Sequence, residues 1–183
     1  LDRLERELIL DMFEMLSGQR MMGSYIRPGG VWRDLPDEFL PALQHFVEIF
    51  PSKVDDYEAL LVNNPIWRDR TEGIGIVEPQ EALDLGMTGP TLRASGVNWD
   101  LRRAEPYLTY SQYDFNVPLG DHGDVYDRFY VRMQEFRESL KIIKQAMKSI
   151  PGGAFRSQNR KYVPPPRAEL GRSMEAVIHH FKL

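Results

Sequence analysis

The residues best suited to contact a redox ligand are two methionines next to an arginine. Met21 and Met22 directly follow Arg20, at the point where a helical pattern ends. A methionine side chain is flexible and polarisable, so it fills irregular gaps in a core and also packs well against aromatic rings. Composition alone favours ordinary core packing. The alternative is a soft, apolar wall for a flat redox ligand.

Arginines are concentrated in and beside a glycine-rich middle region of the chain. The block Arg93-Ala94-Ser95-Gly96 follows shortly after Gly89. In an ordered loop, a guanidinium commonly forks onto carboxylates or backbone carbonyls and thereby fixes the loop. We therefore expect this block, Gly89 included, to have a structural role, with anion binding as the alternative. The other arginines of the region are Arg68, Arg70, Arg102 and Arg103.

Other kinds of active site find no support in the sequence. None of the 183 residues is a cysteine, which excludes disulfides, thiolate catalysis and cysteine-ligated metals within the chain. Gly73-Ile74-Gly75 lacks the third glycine of a dinucleotide-binding loop. The net charge of -4, with no basic tract, gives no indication of nucleic-acid binding. No histidine has metal-ligand spacing to another His or a Glu; the four are His45, His122, His179 and His180.

The elements that position these residues are expected to be mostly helices. Apolar residues recur every three or four positions in several stretches, as in Leu1, Leu4, Leu8 and Met12 on one face of the first. No stretch has the roughly 18 consecutive apolar residues of a transmembrane helix. The predicted helices cover approximately residues 1–17, 35–50, 52–63, 124–150 and 168–182.

The remaining segments predict small β elements and an ordered loop. Pro28-Gly29-Gly30 is typical of a tight turn within a short strand or hairpin, and residues 74–77 are a candidate short strand. Residues 65–123 are rich in glycine and arginine and are predicted to be mainly ordered loop, with a short helix at 79–85. The fold class is therefore mainly α with small β elements. Both ends lack helix-capping signals, so we expect residues 1–183 to be a single internal part of a larger domain.

Several blocks together resemble the D subunit of complex I-type NADH:quinone oxidoreductases. They cover essentially the whole chain, in the family's order. They are Gly18-Gln19-Arg20-Met21-Met22, Tyr25-Ile26-Arg27-Pro28-Gly29-Gly30-Val31, Arg68-Asp69-Arg70-Thr71-Glu72-Gly73-Ile74-Gly75, Asp84-Leu85-Gly86-Met87-Thr88-Gly89-Pro90, Leu92-Arg93-Ala94-Ser95-Gly96-Val97-Asn98, Val117-Pro118-Leu119-Gly120 and Ser173-Met174-Glu175-Ala176-Val177-Ile178.

The resemblance implies a role in quinone reduction. Members of this family form the quinone-reduction site together with the iron-sulfur B subunit, which carries a [4Fe-4S] cluster fed with electrons from NADH. Quinone is the substrate, and its reduction is coupled to proton pumping by membrane subunits. The expected partners are the B and C subunits and other peripheral-arm and membrane subunits. The expected location is peripheral to the inner or plasma membrane, on the cytoplasmic side in bacteria.

The resemblance also implies positions for a few residues and a fold. Met21 matches a position near the quinone headgroup, and Arg20, Met22 and Arg27 match positions near the cluster of the neighbouring subunit. Many respiratory members have His where this chain has Met22, which puts a redox-linked proton there in doubt. No catalytic residue and no directly bound cofactor is assigned to these residues, which alone are expected to be inactive. The fold implied is an incomplete helical core like that of hydrogenase large subunits.

Two other functions remain open at this point. The chain could be the middle of a large subunit of a membrane-bound [NiFe] hydrogenase, whose nickel-binding cysteine pairs lie near the two chain ends. The block from Asp84 to Asn98 favours the quinone branch instead. The chain could also be a structural or interaction module without a redox role, because a long ordered loop suits packing against a partner.

Overall fold

A computed structural model describes residues 3–182, and side chains from residue 5 onward. The predicted start of the first helix at Leu1, and the side chain of Leu4, lie outside this description. Helices dominate the described part, together with one two-stranded antiparallel sheet. The predicted class, mainly α with small β elements, is confirmed. The likeness to a hydrogenase large-subunit core stays a prediction.

The elements follow one another as a mixture of long helices and very short ones. Among residues 3–182, no helix is both long and apolar enough to cross a bilayer. In chain order the elements are α1 Arg3–Ser17, β1 Ile26–Arg27, β2 Gly30–Val31, α2 Phe39–Leu61, α3 Pro65–Thr71, α4 Pro79–Asp84, α5 Gly89–Ala94, α6 Leu101–Ala104, a 3-10 turn Tyr110–Gln112, α7 Val125–Lys148, α8 Arg167–Leu170 and α9 Met174–Lys182.

The described residues divide into two compact units. The first contains the residues up to Phe46 together with those from Pro151 onward. The second runs from Val47 to Ile150. Each of the sites described below lies entirely within one unit.

Helix α2 is continuous where the sequence predicts two helices, at 35–50 and 52–63. Pro51 lies inside it and removes one backbone hydrogen bond, which normally breaks or kinks a helix. Phe50 and Val54, on either side of the proline, share a helix face and are 4% and 0% exposed. Phe50 also packs edge-on against Phe136, with ring centroids 5.7 Å apart. We attribute the continuity of α2 to this burial, which offsets the lost hydrogen bond.

The middle region, residues 65–123, contains short helices joined by irregular segments. Pro65, Pro79 and Pro90 each occupy the first or second position of a helix, where a missing N–H costs nothing and the fixed φ favours helical geometry. These helices have seven residues or fewer, too few turns to show an apolar period. The predicted short helix at 79–85 is present as α4, Pro79–Asp84, and the rest of the predicted loop contains the further short helices α3, α5 and α6.

The predicted strand at residues 74–77 is wrong. This segment is irregular and is held by the loop before α7. The N–H of Val77 donates to the carbonyl of Gly123 at 3.1 Å, and the N–H of Val125 donates to the carbonyl of Ile74 at 3.1 Å. Ile74 and Val77 are therefore hydrogen-bonded through their backbone without being part of a β-strand.

Helix α7 is the long helix of the second unit, and it begins at the predicted cap. The Asp124 side chain accepts a hydrogen bond from the N–H of Asp127 at 2.8 Å. Along the helix, Val131 and Leu140 are 0% and 5% exposed. The helix ends at Lys148, two residues before the predicted end, with Ser149 as its C-terminal cap.

The first unit contains the hairpin predicted at Pro28-Gly29-Gly30. Ile26 pairs with Val31 and Arg27 pairs with Gly30. A third extended segment joins the hairpin, because Val31 donates to the carbonyl of Phe155 at 3.1 Å. The predicted helix at 168–182 is divided into α8 and α9. Gly171 ends α8, and the Ser173 side chain accepts from the N–H of Ala176 at the start of α9.

Candidate functional site

An apolar cavity of about 720 Å³ lies in the first unit, and we call it the methionine groove. One wall is a face of α1 and the other is the chain segment that follows it. The groove is lined by Arg6, Ile9, Leu10, Phe13, Leu16, Ser17, Arg20, Met21, Met22, Gly23, Tyr25 and Ile26. Several of these side chains are exposed despite being apolar, Ile26 at 84% and Met21 at 59%. An apolar concave surface of this size is the usual form of a small-molecule site.

Arg20 holds the segment after α1 alongside the helix. Its guanidinium contacts three acids on one stripe of α1: Glu7, Asp11 at 2.6 Å and Glu14 at 3.6 Å. Spacings of four and three residues place these acids on the same helix face. The hydrogen bond to Asp11 raises the pKa of the Arg20 guanidinium above its ordinary value. The arginine therefore stays charged and positions Met21 and Met22 at the groove.

The turn after α1 is tight enough to require a glycine. The Ser17 hydroxyl donates to the carbonyl of Phe13 at 2.9 Å and lies 3.0 Å from the carbonyl of Gln19. A Cβ on Gly23 would collide with the Ser17 side chain. Gly23 thus allows the segment to fold back against the end of α1, which closes one side of the groove.

Met22 has an unusual backbone conformation. Its φ is +54°, in the left-handed region that a residue with a Cβ adopts at a cost of roughly 1 kcal/mol. Its side chain is 93% exposed, so no packing in the first unit offsets this cost. Strained backbone of this kind is found preferentially at functional sites.

Tyr25 is the one groove residue with a phenolic hydroxyl. That hydroxyl already donates a hydrogen bond within the protein. The Tyr25 hydroxyl donates to the carbonyl of Arg33 at 3.0 Å. Burial raises the pKa of Tyr25. Arg33 in turn donates to the carbonyl of Leu16 at 3.2 Å, near the end of α1. Tyr25 and Arg33 therefore connect the segment after β2 to the end of α1. Because its hydroxyl is engaged in this way, Tyr25 is poorly suited to donate a proton to a ligand.

Arg27 does not line the methionine groove. Neighbouring residues of a strand point to opposite sides, and Ile26 occupies the groove side. The Nε of Arg27 donates to the carbonyl of Ser24 at 3.0 Å, and its guanidinium lies 5.5 Å from the Trp32 ring centre. The structure thus brings together Arg20, Met21 and Met22, and places Arg27 at a different cavity.

In the second unit, Arg93 is the centre of a buried polar network. Its side chain is 7% exposed. It donates to the carbonyl of Trp99 at 3.1 Å, pairs with Glu135 on α7, and lies 3.6 Å from Asp100. One guanidinium therefore ties α5 to α7 and to the segment before α6. This arrangement supports the structural interpretation of Arg93.

Asp100 is held by two arginines. Burial alone would raise the pKa of its carboxyl, but hydrogen bonds from the side chain and backbone of Arg102, with the charges of Arg102 and Arg93, lower it. A carboxylate with a lower pKa in the folded than in the unfolded state adds stability above the unfolded-state pKa of about 4. That stability is lost as the pH falls through the lowered pKa of Asp100.

The other members of the predicted block lie around α5. Gly89 is its first residue and has a φ of +66°, while Gly96 follows the helix with a φ of +82°. Ser95 is buried, and its hydroxyl has no hydrogen-bond partner among the described residues. Gly120 packs so closely on this helix that a Cβ there would lie 2.9 Å from the Cα of Ala94. The block is thus a packing junction between α5 and the loop before α7.

The remaining middle-region arginines mostly make structural contacts. Arg68 pairs with Glu72 at 2.6 Å, and Arg102 with Asp100 at 2.6 Å. Arg103 donates to the carbonyl of Phe115. Within residues 3–182, no group of three or more His, Asp or Glu side chains is arranged to hold a metal ion.

The acidic partners of the two central arginines are not among the residues that the sequence predicts for the site. The partners of Arg20 carry a detectable signal, because Glu7, Asp11 and Glu14 have helical spacing. The pairing of Arg93 with Glu135 spans 42 positions and leaves no local pattern.

The mainly helical chain, with its apolar groove beside Arg20, is similar to proteins of a known family. Over residues 3–183 the sequence matches the family described as respiratory-chain NADH dehydrogenase, 49 Kd subunit, and the chain belongs to that family. This membership replaces the alternative of a hydrogenase large subunit.

Curated relatives are similar over nearly the whole chain. The D subunit of the NADH-quinone oxidoreductase of Thermus thermophilus is 54% identical over 178 residues, which are 97% of this chain and 44% of that protein. A D subunit of the Roseiflexus castenholzii enzyme is 53% identical over 182 residues, 98% of this chain and 44% of that protein. The D subunit from a Wolbachia of Brugia malayi is 50% identical over 179 residues, 98% of this chain and 46% of that protein. The chain therefore spans less than half the length of these relatives.

Proposed function

We propose that this chain supplies one wall of the quinone-reduction site of a proton-pumping NADH:quinone oxidoreductase. The observation that carries the proposal is the methionine groove, an apolar cavity beside a held arginine in a chain of this family. In this role the groove residues bind and orient the quinone ring and exclude water from it. The B and C subunits and the membrane subunits are the proposed partners, and the location is peripheral to the membrane, on the cytoplasmic side.

Met21 is proposed to contact the quinone headgroup. Its thioether is polarisable and its side chain is 59% exposed at the groove, so a flat ring can pack on it without displacing core residues. Arg20 is proposed to fix the position of Met21 through its ion pairs with α1.

The electron donor to the quinone is proposed to be an iron-sulfur cluster in the B subunit. Such clusters are held by cysteine thiolates, and this chain has no cysteine, so its residues cannot ligate one. Arg20 and Met22 are proposed to lie near that cluster on the groove side. The family resemblance implies a position near the cluster for Arg27 as well, although Arg27 lines another cavity of the first unit.

We expect Met21→Ala to weaken quinone binding in the assembled complex. Loss of the thioether contacts should raise the KM for quinone about three- to tenfold, because a buried methyl or thioether group contributes on the order of 1 kcal/mol. NADH oxidation by a soluble artificial acceptor, which bypasses the quinone site, should be unchanged. Met174→Ala, at an exposed methionine on α9, is the matched control. Unchanged quinone kinetics in Met21→Ala would contradict the assignment.

We expect Met22→His to make the potential of the neighbouring cluster more pH-dependent. An imidazole titrates near pH 6.5, and a charge that appears near a cluster shifts its potential. The backbone should tolerate the change, since histidine is enriched in left-handed conformations relative to most residues. A redox titration of the complex over several pH values measures the slope. An unchanged slope would place Met22 away from the cluster.

A further inference from the structure

We propose that a second cavity of the first unit, the arginine pocket, binds a phosphate group. Its volume is about 480 Å³. None of the described residues that line it is acidic. The pocket is lined by Arg27, Arg156, Gln158, Arg160, Val163, Pro164, Pro165, Pro166 and Arg167.

The arginines of this pocket lack the acidic partners that other arginines of the chain have. Arg20 and Arg93 each contact at least two carboxylates. Within residues 3–182, no carboxylate lies within 4.0 Å of Arg27, Arg156 or Arg167. Arg160 has a single long contact, 3.5 Å to Glu169, and its side chain is 73% exposed.

Arg156 has a buried side-chain nitrogen that forms no hydrogen bond with the described residues. Its Nε is buried and has no hydrogen-bond acceptor among the described residues. A buried donor without an acceptor costs free energy. Arg156 lines the pocket, and its guanidinium has no ion pair among the described residues.

Strand register explains why Arg27 and Arg156 meet at one pocket. Arg27 pairs with Gly30 on one side, and Arg156 forms an antiparallel bridge with Gly30 on the other. Residues paired across a sheet point to the same face, and two strand spacings separate their backbones by roughly 10 Å. Gly30 lies between them and has no side chain, so the space between the two guanidinium groups stays open.

The donor count favours a phosphate over a carboxylate. Each guanidinium offers five N–H donors in a planar fork, and four arginines line the pocket. A carboxylate has two oxygens and one charge, whereas a phosphate brings more acceptor oxygens and up to about two negative charges. The remaining walls include apolar residues such as Val163 and Pro165, which offer no hydrogen bonds from their side chains. The arginines are therefore the groups that select the ligand. A free phosphate and the phosphomonoester headgroup of a lipid such as phosphatidic acid share this chemistry.

The test is a calorimetric titration of the full-length subunit with inorganic phosphate at constant ionic strength. We expect saturable binding that Arg156→Gln weakens about tenfold, the effect of losing a charge-assisted hydrogen bond. Arg172→Gln is the matched control, because Arg172 is exposed and does not line the pocket. Circular dichroism checks the fold of each variant. Arg167→Gln, at an exposed residue of the pocket, repeats the test if Arg156→Gln is misfolded.

A second arm distinguishes the sources of the phosphate. If the ligand is a headgroup, vesicles of phosphatidylcholine with phosphatidic acid should retain the wild type and fail to retain Arg156→Gln. Added inorganic phosphate should then release the wild type from the vesicles. Saturable phosphate binding without vesicle binding would indicate a free phosphate. The proposal is overturned if phosphate does not saturate and vesicle binding does not depend on Arg156. An equal loss in Arg172→Gln, or binding of a glutamate-rich peptide but not of phosphate, overturns it as well.

Discussion

Replacing Arg93 with methionine is expected to destabilise the full-length subunit by about 3–5 kcal/mol. The substitution keeps an unbranched, flexible side chain, although a shorter one, and removes the cation between Glu135 and Asp100, whose side chains are 17% and 5% exposed. Removing one partner of a buried ion pair leaves the other charge desolvated, which accounts for a loss of this size. Urea denaturation followed by circular dichroism measures the free energy of unfolding. Arg70→Met, at an exposed arginine of α3, should change it by less than about 0.5 kcal/mol.

A double variant separates the ionic contribution of Arg93 from its packing. Adding Glu135→Met to Arg93→Met removes both charges, so much of the lost stability should return. Asp100 keeps its pairing with Arg102 in both variants. If the double variant is no more stable than Arg93→Met alone, Arg93 acts through packing and not through its charge.

Gly30→Ala is expected to destabilise the protein by about 3 kcal/mol. Gly30 has a φ of +147°, which residues with a Cβ rarely adopt, and strain of this kind costs about 1–3 kcal/mol. A Cβ at this position would also collide with the carbonyl oxygen of Phe155. The extended segment at Phe155 would have to move away from the hairpin, which would weaken the hydrogen bond between Val31 and Phe155.

A glycine of the same unit supplies the control for Gly30. Gly152 has no atom within 4 Å of an added Cβ and no left-handed φ. Gly152→Ala should therefore be neutral, or stabilising by up to about 1 kcal/mol, because alanine restricts the unfolded chain. Thermal denaturation of both variants is sufficient. Equal stability of Gly30→Ala and Gly152→Ala would mean that the hairpin does not depend on close contact with Phe155.

Features with a strong local signal could be predicted from the sequence. Asp124 caps α7 as predicted, and Pro28-Gly29-Gly30 forms the predicted turn. Each depends on a side chain or backbone preference that acts within a few residues. The helical class follows from the same kind of signal, because the three-four spacing of apolar residues is visible over several turns.

Features that depend on tertiary packing could not be predicted. Pro51 predicts a break in α2, and only the burial of Phe50 and Val54 explains why there is none. Helices as short as α5 have no visible period, so the sequence predicts loop at Gly89 and Arg93. In the hairpin, Ile26 and Arg27 point to opposite faces and line different cavities. Which face each residue takes depends on the strand register, which the sequence predicts only once the turn is known.

The candidate site could be predicted in part. The structure places Arg20, Met21 and Met22 along one groove, as their adjacency suggests, and adds Tyr25 and Phe13. That Met21 contacts quinone, and that Met22 lies near a cluster, stay predictions. Both proposed roles involve partner subunits, and a single chain does not encode their positions.

Photolabelling of the assembled complex with a light-activated quinone analogue tests the central claim most directly. If the methionine groove is a wall of the quinone site, the label within this chain should be attached to the peptide that contains Arg20, Met21 and Met22 or to the facing residues of α1. An excess of unmodified quinone should prevent the labelling. A label that enters this chain only outside residues 6–26, or one that excess quinone does not displace, would contradict the proposed quinone site.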